Sequence, residues 1–165
     1  MIMLREHFQL LARYNSLANE KLYEVCSLLS DEERKQPRPA FFKSIHGTLN
    51  HIMVGDRIWM GRFEGQEVAS TGLDAILYEN FEELWAVRRL EDKRIESFVA
   101  GLTEEFFTKT IRYINNAGKV YTDPVTLLIA HFFNHQTHHR GQVHDLLMQT
   151  KIRPPALDMH RLIRA

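Results

Sequence analysis

Four stretches of roughly twenty residues or more carry apolar side chains at helical spacing, and they confine this chain to a helical architecture. In the first, Leu4, Phe8, Leu11, Ala18, Leu22, Val25 and Leu29 share a face. Ser44 is placed to cap a second helix running to about Phe63, with Ile45, Leu49, Ile52, Trp59 and Phe63 aligned. A third runs from about Glu79 to Ala100 and carries Phe81, Leu84, Trp85, Ile95 and Phe98. Between the first two, Ser30-Asp31-Glu32-Glu33 resembles a capping box opening a short turn that Pro37 and Pro39 end. Gly65 and Gly72 mark a loop. The period then changes: Thr110–Ile114 and Lys119–Thr122 read as short strands around the turn Asn115-Asn116-Ala117-Gly118. Asp123 is placed to cap, and Pro124 to start, a final helix to about Thr150, which Pro154 and Pro155 terminate. The expected class is all-α, an antiparallel four-helix bundle with a small β-hairpin before the last long helix.

At 165 residues, with no repeat, low-complexity tract or long linker, the chain reads as a single domain able to bury a core without staples. Its 21 basic and 21 acidic residues cancel, which leaves no broad electrostatic footprint for nucleic acid. No apolar run approaches the roughly 20 residues a membrane span needs. The amino terminus lacks the charged-then-apolar order of a signal peptide, so the cytoplasm is the expected compartment. Cys26 excludes an internal disulfide and reads as a small packed side chain rather than a nucleophile.

The polar residues on these faces are more informative. Leu128, Phe132, Val143 and Leu147 of the last helix fall on one narrow stripe, and His135 and His139 fall inside it. Residues four apart stack one turn above the other, so these imidazoles are placed to close on one metal ion from a single rigid element. A lone histidine on an apolar face reads first as a hydrogen-bonded core residue. Two in register read equally as metal ligands, because one ion satisfies both buried imidazoles. His131 and His138 lie on the shoulder of the stripe, and His144 points away from it. A third ligand must come from elsewhere. His51 is the natural candidate, although an ideal wheel puts it at the edge of its helix's apolar face, beside Gly55; His46 is worse placed. Three protein nitrogens with a fourth position open is the pattern of catalytic zinc sites. Asn15 lies on the stripe of Leu4, Leu11, Ala18 and Leu22, and Asp56 lies close to the line of Ile45, Leu49 and Phe63. Singly each reads as a structural hydrogen-bonding residue; together with the histidines they outline a polar pocket inside the bundle. Arg140 projects away from the stripe, which favours a salt bridge. No histidine has an acidic residue three before it, which sets aside di-iron bundle chemistry, and there is no His-Glu-x-x-His, phosphate loop or Gly-x-Ser-x-Gly elbow.

The chain resembles the DinB family, damage-inducible four-helix proteins that include the YfiT-like metal-dependent hydrolases. The resemblance covers nearly the whole chain. It rests on Tyr14-Asn15 with Ala18-Asn19, on His51-Ile52 with Asp56 and Trp59, on His135-x-x-His138-His139-Arg140-Gly141-Gln142, and on Pro154-Pro155-Ala156-Leu157-Asp158. It implies a divalent metal, zinc or nickel, held by His51, His135 and His139, with His138 a neighbour. It also implies a homodimer, which the exposed faces of the first and third helices would support. Relatives of this kind include thiol-dependent transferases using bacillithiol or mycothiol and a mycothiol-dependent isomerase. The leading expectation is therefore a metal-dependent transferase that activates a low-molecular-weight thiol for attack on an electrophile. Asn15 and Asp56 are candidates for orienting a ligand or a histidine's second nitrogen. A hydrolase using metal-bound water is the alternative, as is a non-catalytic metal- or small-molecule-binding stress-response protein.

Overall fold

The computed structural model describes residues 3–66 and 71–165. Met1 and Ile2, and residues 67–70 of the loop expected between Gly65 and Gly72, lie outside the described part. The long helices are α1 (Leu4–Cys26), α3 (Ile45–Phe63), α4 (Phe81–Ala100) and α5 (Val125–Leu147), with shorter α2 (Asp31–Lys35) and α6 (Met159–Arg164). A hairpin of β1 (Thr110–Ile114) and β2 (Val120–Pro124) precedes α5, in antiparallel register from Thr110↔Pro124 to Ile114↔Val120. No helix among the described residues is long and apolar enough to cross a membrane.

Several boundaries follow from local chemistry. Ser30 and Glu33 form the reciprocal capping box that opens α2, with Glu33 N donating to Ser30 Oγ at 3.1 Å and Ser30 N to Glu33 Oε2 at 2.8 Å. Ser44 caps α3 by accepting from Gly47 N at 2.9 Å. α1 stops at Cys26, short of the expected Leu29, because Arg34 turns its guanidinium onto the carbonyls of Cys26 and Leu29 and closes the helix end. The hairpin turn places Gly118 at φ 77°, with Asn115 Oδ1 accepting from Ala117 N and Lys119 N. Asp123 does not cap α5, contrary to expectation. It lies within β2 opposite Ile111 and accepts from the Tyr113 hydroxyl at 2.9 Å, and α5 starts after Pro124 without a side-chain cap. α5 ends at Leu147, where Thr150 Oγ1 donates to the Leu147 carbonyl at 2.8 Å. α6 packs on α1 and has no counterpart in the sequence reading.

Residue pairs fix the helix directions. Asn15 meets Asp92 and Tyr23 meets Phe81, so α1 and α4 run antiparallel. His51 meets His139 and Phe63 meets Phe132, so α3 and α5 do as well. Asp56 pairs with Arg88 and Phe63 stacks on Phe98, which makes α3 and α4 parallel. The chain must return along the bundle between them, and residues 71–80 pack against α3. Tyr78 N donates to Asn50 Oδ1 at 3.0 Å, and the Leu73 carbonyl reaches His51 Nδ1 at 2.7 Å. No residue of α3 is left exposed.

Two apolar cores divide the interior. Phe8, Phe63, Ile95, Ile129 and Phe132 belong to one, and Leu22, Ile45, Leu49, Leu84 and Leu147 to the other. Burial stabilises each such side chain by about 1.5–3 kcal/mol. Between them lies a layer of buried polar residues: Asn15, Asn19, Asp56, Arg88, Asp92, Gln136 and Arg140.

Candidate metal centre

The antiparallel contact of α3 with α5 brings His51 against His135 and His139. His51 Nε2 lies 3.2 Å from His135 Nε2 and 3.1 Å from His139 Nε2. One nitrogen from each of the three falls within 4.8 Å of the others, so the sequence-predicted set converges. The approach depends on Gly55, one turn along α3 from His51. A β-carbon there would stand 2.6 Å from His135 Cε1, so any side chain would displace the ring.

The partners of the outer nitrogens decide what the inner ones present. A carbonyl oxygen only accepts, so His51 Nδ1 must carry the proton it donates to Leu73 at 2.7 Å. His139 Nδ1 faces Gln142 Oε1 at 2.7 Å and is likewise the donor. In a neutral imidazole the other nitrogen is then a lone pair. His51 and His139 therefore aim two lone pairs at each other across 3.1 Å. Burial, with His139 and His51 alongside, pushes His135 down to about 3. Burial pushes His139 down to about 4 against the opposing bond to Gln142, and burial also lowers His51 against its bond to Leu73. All three rings are neutral at pH 7.

Neutral imidazoles with converging lone pairs fit a divalent metal. Nitrogens bound at ~2.0–2.1 Å in a tetrahedral set stand about 3.4 Å apart, close to the spacing of the rings. Phe42 stacks on His51 at 3.7 Å between ring centres and meets His139 edge-on at 5.6 Å, which excludes water from one flank. Gly47 makes room for that loop, since a β-carbon there would run into the Phe42 carbonyl.

The other predicted residues lie elsewhere. Asp56 Oδ2 pairs with Arg88 Nη1 at 2.7 Å, and its Oδ1 accepts from Gln136 Nε2 at 2.9 Å. Asn15 donates to Asp92 Oδ1 at 3.1 Å and accepts from Arg140 Nη1. Both belong to the polar layer, and among the described residues neither hydrogen-bonds a triad imidazole. Arg140 corrects its own expectation. Instead of an outward salt bridge it is 2% exposed and donates to the Asn15 and Asn19 amides, because α1 covers that side of α5. His138 is an exposed neighbour of His139, and His131 sits edge-on to Trp59 at 5.3 Å. Cys26 is buried, and burial pushes its thiol up to about 12, which makes it inert.

Sequence reasoning missed Leu73 and Phe42, and it quoted Gln142 in the last-helix motif without giving it a role. Gln142 follows His139 by three residues, a spacing that shares a helix face and so was a usable signal. A backbone carbonyl leaves no trace in sequence, and nothing marked Phe42.

Comparison with known proteins agrees with this architecture. The model of the DinB family matches residues 3–165. Protein DinB of Bacillus subtilis (strain 168) is 26% identical over 143 residues, spanning 84% of this chain and 83% of that protein. A crystal structure of a DinB-like protein from Bacillus cereus ATCC 10987 superposes with a TM-score of 0.59 at 19% identity. That match covers 84% of this chain and 89% of the other, and it bears on the fold alone. Along almost its entire length, this chain belongs to the DinB family.

Proposed function

We propose that the protein holds a divalent metal, zinc or nickel, on His51, His135 and His139 and transfers a low-molecular-weight thiol to an electrophile. The carrying observation is the pair of opposed lone pairs on His51 and His139, each fixed by an outer hydrogen bond. A cation between them converts repulsion into ligation. Bound metal supplies one piece of chemistry, lowering the pKa of a coordinated thiol so that thiolate exists at neutral pH.

The chain's own residues do the rest. Leu73 and Gln142 hold the tautomers that face the ion, and Gly55 lets His135 approach. Phe42 keeps water from the flank of His51. Asp56, the acidic residue of α3, has both oxygens engaged by Arg88 and Gln136 and is not free to act as a general base. That favours a nucleophile needing only deprotonation over water attacking with base assistance.

The test is metal analysis of the purified, untagged protein beside His51→Ala, His135→Ala and His139→Ala, followed by thiol consumption with a generic electrophile. About one divalent ion per chain, lost in each variant, is the expected result for a three-histidine site. Metal-dependent thiol loss is expected to stop in His139→Ala. A protein that takes up no metal after reconstitution overturns the site. Turnover surviving His139→Ala overturns its role.

A further inference from the structure

A cavity lies away from the histidine triad, in the groove between the parallel helices α1 and α5. It has a volume of about 520 Å³, within the range of small-molecule sites. Its walls are apolar over Leu4, Phe8, Leu11 and Phe133, and no acidic residue lines it. Tyr14, Thr137 and the cationic Arg140 stand at one end, while His7, Thr126 and Asn134 add polar groups elsewhere along the wall. From Thr126 to Arg140 along α5 the groove runs on the order of 20 Å at 1.5 Å per residue.

Arg140 gives this groove its chemistry. It is 2% exposed and makes no carboxylate contact among the described residues. Nη1 donates to the Asn15 and Asn19 oxygens, and Nη2 reaches only Thr137 Oγ1 at 3.3 Å. Nε is buried with no partner at all. The Nε–Nη2 edge of a guanidinium is the edge that takes a carboxylate in bidentate fashion. Arg88, by contrast, has Asp56 and Asp92 on its two terminal nitrogens.

We propose that the α1–α5 groove binds a small amphipathic carboxylate, its chain lying on Leu4, Phe8, Leu11 and Phe133 and its headgroup on Arg140. The groove is long, with Leu4, Phe8, Leu11 and Phe133 along it and the buried Arg140 at one end, which suits one alkyl chain with one anionic terminus. This site is independent of the triad, and its occupation leaves the metal in place.

The experiment is calorimetric titration of the full chain with decanoate and with decanol, on wild type, Arg140→Lys and Ala130→Trp. Ala130 is an exposed wall residue outside the polar layer, so its substitution fills the groove without removing a buried partner. Saturable binding of decanoate is expected, at least tenfold weaker for decanol, weakened in Arg140→Lys and lost in Ala130→Trp, with metal content unchanged. Equal binding of decanol, or decanoate binding that survives Ala130→Trp, overturns the proposal. So does self-association of the wild type that Ala130→Trp abolishes, since a second copy then fills the groove.

Discussion

His135 and Gln136 are neighbours on α5, and so are His139 and Arg140, yet each pair is split between two polar regions built in opposite ways. Gln136 and Arg140 point into the layer, where Asp56, Arg88, Asp92, Asn15 and Asn19 pair donor with acceptor and cation with anion. His135 and His139 point to the triad, where like faces like: the His51 and His139 lone pairs meet with no donor between them. The first region pairs its carboxylates internally, leaves the Arg140 Nε edge open towards the α1–α5 groove, and separates two apolar cores. The second is complete only with an added cation. Buried polarity alone therefore does not mark a ligand site; buried polarity that fails to satisfy itself does.

The largest test of this contrast is Arg88→Ala. It leaves Asp56 and Asp92 as unpaired buried charges, and loss of about 3–5 kcal/mol is expected in urea unfolding of the metal-free protein. A loss below about 1 kcal/mol would mean the layer is not a mutually dependent unit.

His139→Ala should act the other way. It removes one of two opposed lone pairs, so the metal-free protein keeps its stability, while the rise in Tm on adding metal disappears. At metal a hundredfold above its Kd, that rise corresponds to about 2.7 kcal/mol in the wild type. A metal-free His139→Ala protein as damaged as Arg88→Ala would erase the distinction between the regions.

Gln142→Ala is smaller. The ring of His139 loses the group that fixes its tautomer, and metal affinity should fall about 10–100-fold with the fold intact, read by competition against a chelating dye. Retained affinity would show that packing against Phe42 and His138 suffices to orient the ring.

A further test of the triad is in pH. His135 and His139 sit at about 3 and about 4 in the folded chain, below the ordinary 6.5. The unfolded chain therefore takes up protons first as pH falls. Stability of the metal-free protein is full above 6.5 and is lost as pH drops towards those folded values. The slope of Tm against pH over that window should flatten in His135→Ala, and an unchanged slope would place the acid sensitivity elsewhere.

Much of this was legible because helical period and capping chemistry are local. The spacing of His135 and His139 on an apolar stripe announced two ligands, and Ser30, Ser44 and Gly118 marked their turns. The rest depended on what covers each helix. His51 sat at the edge of an ideal wheel because the wheel assumes a solvent face, which α3 lacks once residues 71–80 pack on it. Arg140 read as outward-facing for the matching reason: α5 is covered by α3 on one side and by α1 on another. Asn15 and Asp56 were recognised as interior polar residues, but their partners Arg88 and Asp92 lie on a helix of which only the apolar face was singled out.

The packing of residues 71–80 on α3 also bears on how the protein lives and dies. His51 waits for the Leu73 carbonyl from that segment and for a helix whose His135 lies 84 residues further along the chain. Closing so large a loop comes after local helices have formed, so the centre is assembled at the end of folding. An ion bound there holds the native state without helping the chain to reach it. Its benefit falls on the rate of unfolding, as resistance to proteolysis and heat over time.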